Sequence, residues 1–506
     1  MLLEAYLSQQ NFITSLQSQT QEYEEELRLR DREIERLKEM VLLLRRARFG
    51  IQSEKLKKDV NQLGMFNEAE VLVREPEEDD AVQEVKSYRR GRPIRKPLPD
   101  YIEREEEVIE LPEADRICPE GHVLEKIGEE VSERLEVIPM QLKVKKTIRI
   151  KYGCRPCAGE VKIAPLPVRI LPKTNAGEGL LAHIATSKYA DGLPLYRQEA
   201  MWKRLEIDLD RTTMARWMVG LGEAVEPLLN LMREDIQCST YVQCDESRLQ
   251  VLKEPGRKAT TSSFMWVLAR ASPGEKPIVV FEYDPTRGGS VPLRLLDGFS
   301  GYLQADGYEG YNAICATKGV IRVGCMAHAR RKFFEAAKTS AKKGVAKKFL
   351  DEIAKLYEIE RRMDKIAPAE ILSVRQKEAK PILETIKTWI DEYRHQVPPQ
   401  STLGKAIGYA FNEWPYLIRY LDAGHLRIDN NFVENKIRPF ALGRKNWLFS
   451  STPEGARASA SLYSLIETAK ANGLNPFRYL RHVFEKLPQA ITLEQTEALL
   501  PYNVKL

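Results

Sequence analysis

From Thr240 onward the chain exchanges helical spacing for a fixed order of strand-type segments, and that order restricts the fold more than any other feature. "TYVQCDESRLQVL", "SSFMWVLARAS" and "PIVVFEYDP" come first, each bounded by Gly, Pro or Ser turns. A helical piece around Val291 to Leu296, the segment "GYLQADGY", a further helix and the strand "VIRVGCMAH" follow. Three strands in a meander and then helix, strand, helix, strand predict a mixed sheet in which the first strand lies beside the fourth. Two acids fall where that arrangement brings them together: Asp245 within the first strand and Asp306 at the end of the fourth. Gly307, directly after Asp306, is expected to let the backbone turn sharply without crowding the carboxylate.

This element order is that of a ribonuclease H-like α/β domain. Two neighbouring carboxylates repel unless a cation sits between them, and Mg²⁺ or Mn²⁺ is the natural occupant. A pair of such ions activates a water or a 3′-hydroxyl and stabilises the leaving oxygen in phosphoryl transfer. The stretch "LRIDNNFVENKIRPFALGRKNWLF" offers the third acid. On a helix capped near Asn430, Glu434 shares a face with Arg438, with Arg444 and Lys445 just beyond, so that an acid adjoins cations suited to a DNA phosphate. Asp429 is the other acid available there. For any single carboxylate a solvated surface position is the ordinary alternative. The interval between Asp306 and Glu434 exceeds what a compact domain of this type needs, and its helical spacing predicts a helical insertion. The insertion's basic start, including Arg330, Arg331 and Lys332, reads equally as a DNA-backbone surface or a solvated helix face. His328 either approaches the acids or serves as a core or capping histidine.

A chain of 506 residues with 43% hydrophobic content supports three or four domains. No run is long enough to span a bilayer, and the expectation is a soluble, intracellular protein. Seven cysteines are too few and too scattered for a disulfide framework, and Cys238, Cys315 and Cys325 read as core packing. The net charge is only +5, but it is unevenly distributed. Residues Glu75 to Glu84 are nearly all acidic, whereas Arg89 to Lys96 and Lys318 to Lys348 are basic, which suits a polyanionic partner or a solvated face.

Toward the N-terminus, Tyr23, Leu27, Arg30, Ile34, Leu37, Val41 and Leu44 alternate spacings of four and three, a heptad seam of about three repeats that predicts a coiled coil or an amphipathic hairpin helix. The acidic linker after it leads into "YRRGRPIRKPLP", whose Arg89, Arg90 and Arg92 surround the Arg-Gly-Arg-Pro core of an AT-hook; a basic linker without groove preference is the alternative. "CPEGH" and "CRPC" place Cys118, His122, Cys154 and Cys157 as soft ligands that an intervening hairpin would bring together around Zn²⁺, or as a vestigial site lacking a second cysteine in its first half. Alternating Leu142, Val144, Ile148, Ile150 and Tyr152 are expected to form that hairpin. From Leu180 to Met232 helical spacing dominates. Asp210 is placed to cap a second helix with Met214, Trp217 and Met218 inside, giving either a helix-turn-helix DNA-binding unit or two packed helices.

The chain resembles the insertion-sequence-66 transposases, of the DDE class. The resemblance is carried by "FGIQSEKL", "IGEEVSERLEVIP", "GLPLYRQE", "CDES", "LQADGYEGYN", "CMAHARRKFFE" and the long block "DNNFVENKIRPFALGRKNWLFSSTPEGARASASLYSLIETAKANGLNPFRYL", covering nearly the whole length. It implies that Asp245, Asp306 and Glu434 form the metal-binding triad, and that a zinc-ribbon-like segment uses Cys118, Cys154 and Cys157. "CPEGH" departs from the family's Cys-x-x-Cys in the first half, which leaves ligation by His122 open. The implied activity is transposition: binding of element ends, metal-dependent DNA cleavage and joining of 3′ ends to target DNA. DNA is the implied partner, with a homo-oligomer through the coiled coil, accessory proteins encoded by the same element, no membrane, and a bacterial cytoplasmic, nucleoid-associated location. The rival readings are a DNA-binding regulator that retains the fold without the activity and a structure-directed nuclease with the same site. A serine or tyrosine recombinase would need a nucleophile among clustered arginines, and the ordered carboxylates argue otherwise.

The expected organisation is a coiled coil or helical segment over 1–60, an acidic linker and AT-hook-like segment over 61–100, a zinc-ribbon-like domain over 101–172 and a helix-turn-helix-like domain over 173–236. The ribonuclease H-like domain takes 237–335 and 421–450, with the helical insertion at 336–420 and a C-terminal helical segment over 451–506.

Overall fold

Between residue 166 and the main sheet stand four helices: α1 (Glu178–Tyr189), α2 (Leu195–Arg204), α3 (Arg211–Ala224) and α4 (Glu226–Gln237). Asp210 opens α3 as expected, accepting from the backbone N–H of Thr212 at 2.8 Å and of Thr213 at 2.9 Å, which satisfies two of the donors a helix start leaves free. Met214, Trp217 and Met218 turn inward from this cap and are buried. The computed structural model describes residues 166–270, 272, 274–339, 344–363 and 366–506, the stretches 142–148, 151–153 and 161–163, and positions 19, 20, 23, 30, 33, 34, 36, 37, 40 and 41. The chain divides into two units, residues 64–164 and the remainder.

In the smaller unit, β1 (Lys151–Gly153) pairs antiparallel with β2 (Val161–Ile163), with Tyr152 opposite Lys162. The hairpin expected from the alternation of Leu142, Val144 and Ile148 is not where the strands form. Residues 142–148 have no regular structure, and these three side chains are exposed. Apolar alternation stabilises a strand only when a partner covers one face. Cys118, His122, Cys154 and Cys157 lie outside the described residues, as do Arg89, Arg90 and Arg92.

In the larger unit, the seam positions Tyr23, Arg30, Ile34, Leu37 and Val41 are helical, and the apolar ones among them are exposed. The main sheet consists of β3 (Tyr241–Gln250), β4 (Ser262–Arg270), β5 (Ile278–Asp284), β6 (Gly301–Gln304) and β7 (Val320–Val323), in the order β5-β4-β3-β6-β7. The first three strands form an antiparallel meander, and β6 and β7 add in parallel beside β3. Between β5 and β6 lies the short α5 (Ser290–Leu295), and between β6 and β7 a 3₁₀ turn and α6 (Asn312–Cys315).

After β7, α7 (Met326–Thr339) runs through the boundary expected at residue 335 and is followed by α8 (Val345–Arg362), α9 (Pro368–Val374), a π-helical turn at Arg375–Ala379, α10 (Lys380–Arg394) and α11 (Thr402–Leu417). These helices share a core with Tyr241 and Val323 of the sheet. Within it Phe333 stacks on Phe349 with centroids 4.4 Å apart, and Trp389 meets Phe349 edge-on, geometries that favour aromatic pairs beyond their area. The π turn turns Arg375 inward. It is buried, pairs with Glu360, and donates to the carbonyls of Tyr420, Ala423 and Leu426, tying the return segment to the insertion.

The return leads into α12 (Asn431–Trp447), α13 (Pro453–Ala471), α14 (Pro476–Lys486) and α15 (Leu493–Glu497). Edge strand β5 is covered by α13: the N–H of Val279 donates to Thr468 Oγ1 at 3.0 Å and that of Phe281 to Ser464 Oγ at 2.8 Å. Side-chain hydroxyls thereby occupy donors that an uncovered edge would present to another strand. The C-terminal helices belong to the same core as β3 to β5 and α1 to α4. No helix among the described residues is long and apolar enough to cross a membrane.

Candidate active site

The parallel register of β3 and β6 sets Gln243 opposite Gln304. Asp245 and Asp306 each stand two residues beyond that pair. Because side chains alternate with a period of two, Asp245 shares the face of Gln243, and the same spacing from Gln304 carries Asp306 off the end of β6. The two glutamines are fully buried and joined, Gln243 Nε2 donating to Gln304 Oε1 at 2.8 Å.

The same amides bring in the third acid. Gln243 Nε2 also donates to the Asp429 carbonyl at 2.9 Å, and Gln243 Oε1 accepts from the Val433 N–H at 3.1 Å. Gln304 Nε2 reaches the carbonyls of Gly324 and Arg427, both at 2.9 Å. Asn430 sits at the N-cap position of α12 without capping it through its side chain. Its Nδ2 instead donates to the Cys244 carbonyl at 3.0 Å. The first N–H of α12 is taken by Asp429, whose Oδ1 accepts from Asn431 N at 3.1 Å and whose Oδ2 accepts from Asn431 Nδ2 at 2.7 Å. Asp429 therefore supplies the cap expected of Asn430, whose side chain is held to β3 instead. The first turn of α12, with Glu434, is held against β3 at the level of Asp245.

Asp245 and Glu434 are 8% and 7% exposed, and Asp306 is half-buried. Burial pushes the Asp245 carboxyl well above its usual range, and the neighbouring charges of Glu246, Glu434 and Asp306 push it further. The three predicted acids thus converge electrostatically. Asp245 Oδ1 accepts from the Glu246 N–H at 2.9 Å, while Asp245 Oδ2 and Glu434 Oε1 are buried without a hydrogen-bond donor. Buried oxygens without donors are rare in folded proteins, and an oxygen-lined cation site accounts for both. The residues present fit a hard divalent ion.

Asp306 is braced from the insertion. Its carbonyl accepts from Arg322 at 2.9 Å, and Arg322 pairs with Glu413 of α11 at 2.8 Å. Asp306 Oδ1 accepts from the Tyr308 N–H at 3.0 Å. The role expected for Gly307 changes here: a side chain at that position would come within 2.8 Å of the Tyr409 ring and 3.3 Å of the Glu413 carboxyl carbon, and its φ is not in the left-handed range. The glycine makes room for α11 rather than for a sharp turn. On the other side Glu246, the acid after Asp245, is neutralised by Arg287 through a 2.7 Å bond and accepts from the Tyr311 hydroxyl at 2.5 Å. Arg287 lies 3.7 Å from the Tyr308 ring centroid, so this pair holds the segment that follows Asp306.

His328, left open by the sequence, faces the acids: its Nδ1 is 3.4 Å from Glu434 Oε1. Arg331 approaches Glu434 Oε2 at 3.5 Å. Arg330 is half-buried, and Lys332 lies 4.7 Å from the Tyr409 ring centroid. On α12, Arg438 is half-buried, Lys445 is exposed, and Arg444 donates to the Arg248 carbonyl near the end of β3. Of the cysteines read as packing, Cys325 is buried beside His328 and Glu434, Cys315 is half-buried, and Cys238 is exposed. Cys238 follows α4, where no core element covers it. Gln243, Gln304, Arg322 and Glu413 carried no sequence signal, because each acts through a partner far along the chain.

Known families match along almost the entire length. Residues 173–458 match the Transposase IS66 family, 464–502 the IS66 C-terminal element, 115–158 the zinc-finger binding domain of transposase IS66, and 36–106 the family described as Transposase C of IS166 homeodomain. Among curated relatives, "Uncharacterized protein y4jD" of Sinorhizobium fredii is 34% identical over 496 residues, covering 94% of this chain and 96% of the relative. "Uncharacterized protein y4qI" of the same organism is 34% identical over 495 residues, covering 93% and 89%. "Uncharacterized protein y4hP" is 32% identical over 489 residues, covering 91% and 87%. With more than half the chain under one family and relatives above 30% identity across their length, the chain belongs to the IS66 family of insertion-sequence transposases.

Proposed function

We propose that the chain cuts the ends of its mobile element and joins the resulting 3′ ends to target DNA, using Asp245, Asp306 and Glu434 of a ribonuclease H-like core. The single observation that carries this reading is the convergence of these acids where β6 ends beside the middle of β3, with Asp245 Oδ2 and Glu434 Oε1 buried and lacking donors. The strand order β5-β4-β3-β6-β7 supports the fold assignment. Mg²⁺ or Mn²⁺ held by the three carboxylates would activate the attacking water or 3′-hydroxyl and stabilise the leaving oxygen. The remaining tasks fall to the chain. Arg331 orients Glu434 through Oε2, and Arg322 holds the backbone that carries Asp306. Asp429 is committed to Asn431, which favours Glu434 as the third ligand.

DNA is the partner of this reading, and the work is done at the bacterial nucleoid. Arg330, Arg331 and Lys332 on α7 and Arg438, Arg444 and Lys445 on α12 supply positive charge on the two helices that meet at Glu434. Arg89, Arg90 and Arg92 would follow the minor groove, and α2 with α3 would provide a helix-turn-helix unit. Zn²⁺ would be held by Cys118, Cys154 and Cys157 with His122. The exposed stripe of Tyr23, Ile34, Leu37 and Val41 supports a homo-oligomer through the N-terminal helix, with accessory proteins of the same element joining it.

Incubating the full chain with labelled element ends and Mg²⁺ tests the reading: nicked and joined products are expected. Nicking without joining would leave a nuclease, and binding without either would leave a regulator.

A further inference from the structure

A second set of ligands meets at Glu434, and its chemistry differs from that of the acids. Cys325 directly before α7, His328 in the first turn of α7 and Glu434 in the first turn of α12 each place a ligand atom within 4.8 Å of the others. Cys325 is 1% exposed and His328 18% exposed, so the group is reached from the imidazole side. Two of its atoms, His328 Nδ1 and Glu434 Oε1, are buried, lie 3.4 Å apart and make no hydrogen bond. Cys325 Sγ accepts from the Asn430 N–H at 3.3 Å, which fixes the sulfur beside this pair.

A hard ion has no use for this set. Mg²⁺ takes oxygen ligands and water in octahedral geometry, whereas thiolate, imidazole and carboxylate together suit tetrahedral Zn²⁺ and related borderline-soft ions, with a fourth position open. We infer that Cys325, His328 and Glu434 form a soft-metal site that takes Zn²⁺ and, by engaging Glu434, competes with the hard ion that catalysis requires. Binding releases the Cys325 thiol proton to solvent and leaves the imidazole neutral. The inhibitory consequence rests on the reading of Glu434 as the third catalytic acid; the site itself does not. The connection is geometric. Glu434 is set against β3 by Gln243 through Val433, while Cys325 is set against the same turn through Asn430. One carboxylate therefore serves two ligand sets of different softness.

The test uses Co²⁺ as a spectroscopic stand-in for Zn²⁺. Full-length protein, freed of metal, is titrated with Co²⁺ and compared with Cys325→Ser, His328→Gln and Glu434→Gln, each checked for folding by circular dichroism. Any cobalt bound by other cysteines is common to all four proteins and cancels in the difference. The parent is expected to bind about one more equivalent of Co²⁺ than Cys325→Ser, with a thiolate-to-cobalt charge-transfer band in the difference spectrum. His328→Gln and Glu434→Gln should weaken that band's titration by about tenfold or more, within the range for losing a ligand or its support. In a second arm Zn²⁺ is titrated into Mg²⁺-supported nicking, each protein normalised to its own rate without zinc. Half-inhibition of the parent should need about tenfold less Zn²⁺ than that of Cys325→Ser.

Identical cobalt spectra for parent and Cys325→Ser would overturn the site, and His328→Gln gives the same decision should the serine variant misfold. A Cys325-dependent band with zinc inhibition independent of Cys325 would overturn the competition. Absence of nicking by the parent would count against the proposed catalysis, and the cobalt arm would still decide the site.

Discussion

Gln243 and Gln304 face each other across the parallel pair β3 and β6, and through them the sheet grips the start of α12 at Asp429 and Val433. The proposed catalytic acids are positioned by this pair: Asp245 and Asp306 each lie two residues beyond it, and Glu434 follows the residue that Gln243 holds. Buried amides are well suited to the task, since one side chain both donates and accepts.

Gln243→Leu should therefore destabilise the protein and misplace Glu434 together. It leaves the Asp429 carbonyl and the Val433 N–H without their partner, at about 1–3 kcal/mol for each group left unsatisfied. Chemical denaturation should show the lower midpoint, and nicking should fall further than the fraction folded explains.

Arg322 and Glu413 make a buried pair that links Asp306 to the insertion, with side chains only 5% and 12% exposed. Arg322→Met strands the Glu413 carboxylate and should cost about 3–5 kcal/mol, whereas Arg322→Met with Glu413→Leu should recover most of that loss. Thermal unfolding of the two singles and the double measures the coupling. Additive losses would show that the pair contributes no specific link.

Much of this site could be read from residue order alone. Asp306 was visible because a short apolar strand ended in an acid, and the strand order placed it beside Asp245. Glu434 stood out within a basic helical stretch. The support of these acids was hidden: Gln243 finds Val433, and Arg322 finds Glu413, across loops whose closure no local pattern records. Gly307 was legible as necessary but not as making room for Tyr409. Cys325 looked like a core residue, which by burial it is; its neighbours His328 and Glu434 come from different helices and give it a chemical setting. The hairpin expected from the alternation of Leu142 to Tyr152 pairs only from Lys151 on, and residues 142–148 stay irregular, because alternation signals a face to be covered and says nothing of what covers it.

The helical seam leads to a test of assembly. Leu37 is half-exposed in the single chain, as are Ile34 and Val41. Leu37→Pro should abolish self-association through this segment, since proline costs about 3 kcal/mol or more in a helix interior. Analytical ultracentrifugation should show the parent as the larger species. Identical monomers would reassign the seam to an internal contact.

Zinc in the smaller unit is a matter of elemental analysis. Freshly purified, chelator-free protein should carry zinc at the cysteine pair, and Cys154→Ser with Cys157→Ser should carry about one Zn²⁺ per chain less. Protein of both kinds with equal zinc would remove the assignment.

The central claim is that Asp245, Asp306 and Glu434 act as one metal-binding set, and the most direct measurement compares cleavage by Asp245→Asn, Asp306→Asn, Glu434→Gln and Asp429→Asn with Mg²⁺ and with Mn²⁺. Each of the first three removes a charge while keeping size and shape, so folding and DNA binding should persist while cleavage and joining fall by more than about a hundredfold, the scale of losing one charge-stabilising group. Asp429 is already occupied by Asn431, and Asp429→Asn should be much milder. An active Glu434→Gln protein beside an inactive Asp429→Asn protein would transfer the third role, and an active Asp306→Asn protein would contradict the account.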